Sequence, residues 1–142
     1  MIGAPRGNEG AVEAINRATG KTIASLAIES DDRDNNGLRF GFTDGTTLAI
    51  FDDGQSCCEH RYMHTDDPLD AFVGAQFRGA EVRDGPTEDT EYEIKESQFL
   101  IVHTSAGDFT VVNYNEHNGY YGGFDLKAKE YKEGGGPHNE QA

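Results

Sequence analysis

Apolar and polar side chains alternate along much of this chain, in short runs separated by turn-forming residues. In residues 22–28 Ile23 faces inward with Leu26; in 38–43 Leu38, Phe40 and Phe42 share a face; in 46–51 Leu48 and Ile50 do so. Period two places successive side chains on opposite faces of a strand, so three strands are expected here. Asp44-Gly45 separates the second and third and supplies the backbone angles of a tight hairpin. The polar stretch 31–37 is expected to be an exposed connection. Ahead of the strands, Asn8 can cap a short helix with Val12 and Ile15 on one face, closed by Gly20.

Further along, Asp67 before Pro68 predicts one or two helical turns that carry Leu69, Phe72 and Val73 inward and end at Gly74. A strand follows over 75–82 and a solvated loop over 84–91. From Tyr92 the pattern is strand-like again, through Ile94 and then Gln98 to Thr104, with a turn at Ser105-Ala106-Gly107-Asp108 and a return strand 109–114, a second hairpin. The last strand is placed within 119–128, where glycines permit a bulge. These elements predict an α+β fold, predominantly antiparallel β, arranged as a single compact sheet or partly open barrel with one or two short helices. Residues 1–8 are expected to be a flexible N-terminus, 9–129 a single β-rich domain and 130–142 a flexible tail.

Composition narrows the partners. Twelve Lys and Arg stand against 26 Asp and Glu, a formal charge of −14, which repels the phosphate backbone of DNA or RNA. The same charge suits a basic partner surface, or simply keeps the chain soluble. The longest apolar runs, such as Phe99-Leu100-Ile101-Val102, are too short to cross a bilayer, and no basic segment leads into an apolar one at the N-terminus. A cytoplasmic location without membrane attachment is therefore expected. The adjacent Cys57 and Cys58 are poorly placed to bridge each other and read as reduced thiols.

Two polar segments can carry chemistry. The first, residues 52–64, contains Cys58, Glu59, His60 and His64 directly after a strand. Thiolate and imidazole are zinc ligands, so Cys58, His60 and His64, with His117 from elsewhere, form a candidate metal set, although their spacing follows no standard zinc pattern. The second segment, Asn113 to Phe124, gathers Asn115, Glu116, His117, Asn118, Tyr120 and Tyr121. Its amides and aromatic rings can hold a planar ligand; equally, Asn118-Gly119 can be a plain hairpin turn. If the segments converge, they form either an acid–base or metal site or a closed structural lock in which Glu59 or Glu116 satisfies backbone donors. No cofactor motif is evident.

Cys57-Cys58-Glu59, the downstream Asp66-Asp67 with Leu69 and Gly74, and Asn118-Gly119-Tyr120-Tyr121 resemble a family of small bacteriophage and bacterial proteins classified as a domain of unknown function. The likeness covers residues 20–126. It implies a phage setting and a compact β-rich fold, and it points to Cys58, Glu59, Asn118, Tyr120 and Tyr121 rather than to the histidines. The leading expectation is a non-enzymatic binding module: a phage accessory protein in the host cytoplasm that captures a small ligand or masks a host protein, as a counter to host defence. The alternatives are a metal-assisted hydrolase with Glu59 or Glu116 as base, and an assembly protein that self-associates through a sheet edge.

Overall fold

The computed structural model describes residues 9–30, 36–52, 59–90, 93–118 and 123–132. The expected Asn8 cap and the 31–35 part of the expected connection lie outside them, as do Cys57, Cys58, Tyr120 and Tyr121. One α-helix, α1 (Glu9–Ala18), precedes eight strands: β1 (Ile23–Ser30), β2 (Asn36–Phe42), β3 (Thr46–Asp52), β4 (Glu59–His64), β5 (Phe77–Asp89), β6 (Ile94–Thr104), β7 (Gly107–His117) and β8 (Leu126–Lys132). The strands are all antiparallel and divide into two sheets of four, ordered β1-β2-β3-β8 and β4-β7-β6-β5. The α+β, mainly antiparallel class holds, and among the described residues the strands form two sheets rather than one, with no closed barrel.

The apolar face of each strand explains the packing. Leu38, Phe40 and Phe42 from β2, with Leu48 and Ile50 from β3, are buried against Phe77, Leu100, Val102, Phe109 and Val111 of the second sheet. Phe40 is at the centre, its ring 5.1 Å from that of Phe77 and 6.5 Å from that of Phe109. Helix α1 buries Ala11, Ala14, Ile15 and Ala18, a stripe at helical spacing. Val12 is only half-buried, so the helix packs on its small residues, which let it lie close against β8, β5 and β3.

Several elements depart from expectation for identifiable reasons. The 84–91 loop is largely strand: β5 runs on to Asp89 across a register shift between Asp84 and Thr87. Gly85 fits there because a Cβ would meet Ser97 Oγ at 2.6 Å, and the Ser97 hydroxyl donates to the Pro86 carbonyl. Pro86 is tolerated because β5 is an edge strand. Asp67 does not cap the short 3-10 turn Leu69–Phe72; its carboxylate accepts the Thr110 N–H instead. Val73, expected inward, is exposed.

The Asp44-Gly45 hairpin is present, closed by the Gly45 N–H donating to the Phe42 carbonyl, with Gly45 at φ 88°. Asp44 accepts bonds from the Thr46 hydroxyl and N–H, and these hold its pKa down to about 2. Gly119 of the expected Asn118-Gly119 turn lies outside the described residues, and the strands on either side of it are not neighbours. β7 is flanked by β4 and β6, whereas the next strand, β8, pairs with β3 in the other sheet. β8 also extends to Lys132, so Glu130, assigned by sequence to the tail, is a strand residue. It accepts from Arg17 of α1 at 2.7 Å, and this contact lowers its pKa.

Candidate functional site

The inward face of the second sheet changes character halfway along. Along β7 the inward residues run Phe109, Val111, Asn113, Asn115, His117, all buried. The strand register puts Val82, Leu100 and Val111 in one row, then Asp84, Gln98, Asn113 and Met63, then Glu96, Asn115 and Arg61. An interior that packing alone would fill with apolar side chains is thus polar over its last rows.

At this polar end sits a buried ionic knot. Arg61 donates through Nη1 to both Asp52 oxygens, at 2.9 and 3.0 Å, and through Nη2 and Nε to Glu59 at 3.0 to 3.2 Å. All three residues are at most 9% exposed. Burial disfavours the guanidinium charge, but the Glu59 and Asp52 bonds outweigh it and raise the Arg61 pKa. Asn115 Nδ2 donates to Glu59 Oε2 and to the Gly123 carbonyl, each at 3.0 Å. The knot therefore joins β3, β4 and β7 and reaches the segment that leads into β8.

That segment forms the wall of a groove. Gly123 is fixed at both ends: its N–H donates to Glu96 Oε1 at 2.7 Å while its carbonyl takes the Asn115 bond. Its φ of 80° favours glycine. The Asp125 N–H donates to Asp52 Oδ1 at 3.1 Å, and His117 Nε2 lies 3.0 Å from Glu96 Oε1. Between this wall and β5–β6 lies a groove of about 490 Å³ lined by Asp84, Thr87, Glu96, Gln98, Phe124 and Leu126, among others. Its volume falls in the range of small-molecule sites. Asn113 Oδ1 and Asn115 Oδ1, buried in the adjoining rows, accept no hydrogen bond.

The sequence candidates separate by strand face. Glu59, Asn115 and His117 turn inward to the polar end, where Glu59 and Asn115 bond directly. Glu116 faces outward, accepting from the Tyr62 hydroxyl at 2.6 Å with His60 Nδ1 at 3.9 Å. Burial and the Glu116 bond push the Tyr62 pKa up, and its ring stacks on Tyr114. Glu59 and Glu116 are therefore on opposite faces of the sheet. His60 and His64 are outward and exposed, His64 beside Asp66 at 2.9 Å, so neither meets the inward His117. Asn118 follows the end of β7 and is exposed. Among the described residues, no group of three or more His, Cys, Asp or Glu side chains is placed to hold a metal ion.

Asp52 and Arg61 belong to the first polar segment without being candidates there, and Asp84 and Glu96 lie outside both segments, although one signal is present. Asp52 continues the Leu48, Ile50 face by period two, and Asn113 continues the Phe109, Val111 face. A polar residue in step with a core face marks a paired interior group.

A second groove lies between α1 and β5, lined by Asn16, Thr19, Arg78, Glu81 and His103. His103 Nδ1 is 2.9 Å from Asp108 and Nε2 3.1 Å from Glu81. The Asp108 bond raises the His103 pKa, opposed by burial and supported by Glu81; His103 and Arg83 lower that of Glu81. The His103 contribution to stability is full below the ordinary histidine value and lost as pH rises through its raised pKa. The Glu81 contribution is full above the ordinary carboxylate value and lost as pH falls through its lowered pKa. The cluster is thus at full strength between about pH 4.5 and 6.5, the ordinary values of the two side chains. Denaturation of wild type and His103→Gln across pH is expected to show their stability difference shrinking as pH rises past neutrality.

Comparison with known proteins gives a family without an activity. Residues 16–126 match the model described as Domain of unknown function (DUF7448). The match begins within α1, ends at the first residue of β8, and includes the whole ionic knot and groove. No curated protein and no solved structure matches the chain.

Proposed function

Since the chain belongs to this family of unknown function, we propose its role from the site itself: a binding module that takes a small, cationic, hydrogen-bond-donating ligand in the groove beside Gly123. The observation that carries this reading is the clamped wall. Asn115, Glu96 and Asp52 each hold a backbone group of residues 123–125, so the knot spends buried polar groups on shaping a concave surface. The lining supplies acceptors, the Asp84 and Glu96 carboxylates and the Gln98 and Thr87 oxygens, beside the Phe124 ring. A chain of charge −14 also concentrates cations near it.

Glu59 fits the module as a positioning group. Its carboxylate is engaged by Arg61 and Asn115, which suits holding the wall better than abstracting a proton. The setting we propose is the phage one: an accessory protein in the host cytoplasm whose ligand is a small host-derived cation.

Binding is tested by titrating spermidine, arginine amide and, as an anionic control, glutarate into the full chain while following amide resonances and the unfolding temperature. The cations are expected to shift Gly85, Gln98 and Gly123, and to stabilise the fold by about 2.7 kcal/mol at a hundredfold excess over Kd. Asp84→Lys, at an exposed groove position, is expected to abolish this with stability changed by less than about 0.5 kcal/mol. Absence of both shifts with either cation would leave the knot a structural lock alone.

Asn113 offers a second check. Its Nδ2 donates to the Gln98 carbonyl at 3.2 Å and its Oδ1 is unpaired. Asn113→Leu removes that unpaired acceptor while keeping the branched shape, and is expected to raise stability by about 1 kcal/mol in urea denaturation.

A further inference from the structure

Among the described residues, three of the four sheet edges are guarded. β8 carries Lys127 and Lys129 and is covered by α1, with Arg17 bonded to Glu130. β5 is interrupted by register shifts at Phe77/Gly79 and Asp84/Thr87, holds Pro86, and lies partly against α1. β4 has only six residues and turns Glu59 and Arg61 inward. Short length, proline, bulges, lysine and inward charge are the devices that stop sheets from adding strands.

β1, Ile23–Ser30, has almost none of them. Its sequence, Ile-Ala-Ser-Leu-Ala-Ile-Glu-Ser, contains no Lys, Arg or Pro. Among the described residues only its first residue has backbone hydrogen bonds on the outer side, Ile23 donating to the Ala75 carbonyl and accepting from the Gly74 N–H, with a bulge before Ser25, while the Leu69–Phe72 turn packs against the strand. From Ser25 to Ser30 the pairing with β2 is regular, and among the described residues no strand lies on its other side.

We infer that the 25–30 edge of β1 is a self-association site, pairing antiparallel with β1 of a second copy about a two-fold axis at Ala27. The occupant follows from self-complementarity. With Ala27 on the axis, Leu26 stands opposite Ile28 and Ser25 opposite Glu29, so no like charges face each other. Glu29, the single charged residue of the strand, already has Arg39 of its own chain at 3.2 Å. The strip at the axis is therefore nearly neutral on a molecule of charge −14. Joining the edges gives one continuous eight-stranded sheet and consumes both exposed edges, so the assembly closes as a dimer.

Sedimentation equilibrium of the full chain from micromolar to millimolar concentration is expected to show monomer passing to dimer. Added salt is expected to tighten the dimer, because it screens the repulsion between two acidic chains. Hydrogen exchange is expected to slow at residues 25–30 as concentration rises while β4 amides stay unchanged. Ala27→Lys places two ammonium groups together on the axis and is expected to weaken association about tenfold or more, whereas Ala27→Thr retains it. A chain that stays monomeric throughout, or a dimer whose β1 amides gain no protection, overturns the inference. So does an Ala27→Lys variant that is folded and dimerises like wild type; exchange in the wild-type chain decides the matter if that variant does not fold.

Discussion

Arg61→Met is expected to lose about 3–5 kcal/mol of folding stability, read as a lowered urea midpoint with an unchanged slope. The loss has little to do with the volume of the side chain. Asp52 and Glu59 are buried beside Arg61, and removing the guanidinium leaves both carboxylates in a medium that solvates them poorly. Arg61→Lys is expected to recover only part of the loss, since one ammonium cannot reproduce the two-sided fork that meets Asp52 and Glu59. Replacing all three residues together by Leu or Met is expected to restore most of the stability. That variant is also expected to lose groove binding, because the Asp125 N–H and the Asn115 amide lose their acceptors on Asp52 and Glu59. The triple variant thus separates what the knot does for folding from what it does for the site. Retained cation binding in a folded triple variant would count against the clamped wall as the basis of function.

Phe40→Ala is expected to cost a similar amount, about 3–5 kcal/mol, by a different route. Phe40 is fully buried, with Phe42, Phe77 and Phe109 around it. Truncation forfeits the transfer of the ring and leaves a cavity between two sheets that cannot close over it without shifting strands. Phe40→Leu is expected to cost less, because it fills part of that space. The variant should retain the groove, which lies at the opposite, polar part of the interior, so ligand-induced shifts at Gly123 are expected to persist below its unfolding temperature.

The two substitutions mark the two kinds of interior this fold contains. The apolar part was legible in the sequence. Leu38, Phe40, Phe42, Leu48 and Ile50 were assigned inward from alternation alone, and all five are buried. The Asp44-Gly45 hairpin was legible for the same local reason, a turn whose backbone angles glycine supplies. Of the candidate site, Glu59, Asn115 and His117 were named, but as members of clusters defined by proximity along the chain. Strand geometry sorts such clusters by parity, and this is why Glu116 stands with Tyr62 on one face while Asn115 meets Glu59 on the other.

Local chemistry therefore determined the strands β1, β2, β3, β6 and β7 in outline, the Asp44-Gly45 hairpin and the burial of Phe40 and Phe42, whereas β4 and the 84–89 part of β5 have no such local signature. The former follow from side-chain period and backbone preference over a few residues. The tertiary structure alone decided that the strands divide into two sheets, that β8 crosses from the end of β7 to pair with β3, and that Arg61 bridges Asp52 and Glu59. It also decided which residues wall the groove. Each of these depends on groups brought together from distant parts of the chain, with burial setting the strength of the contacts, and no short stretch of sequence contains that information.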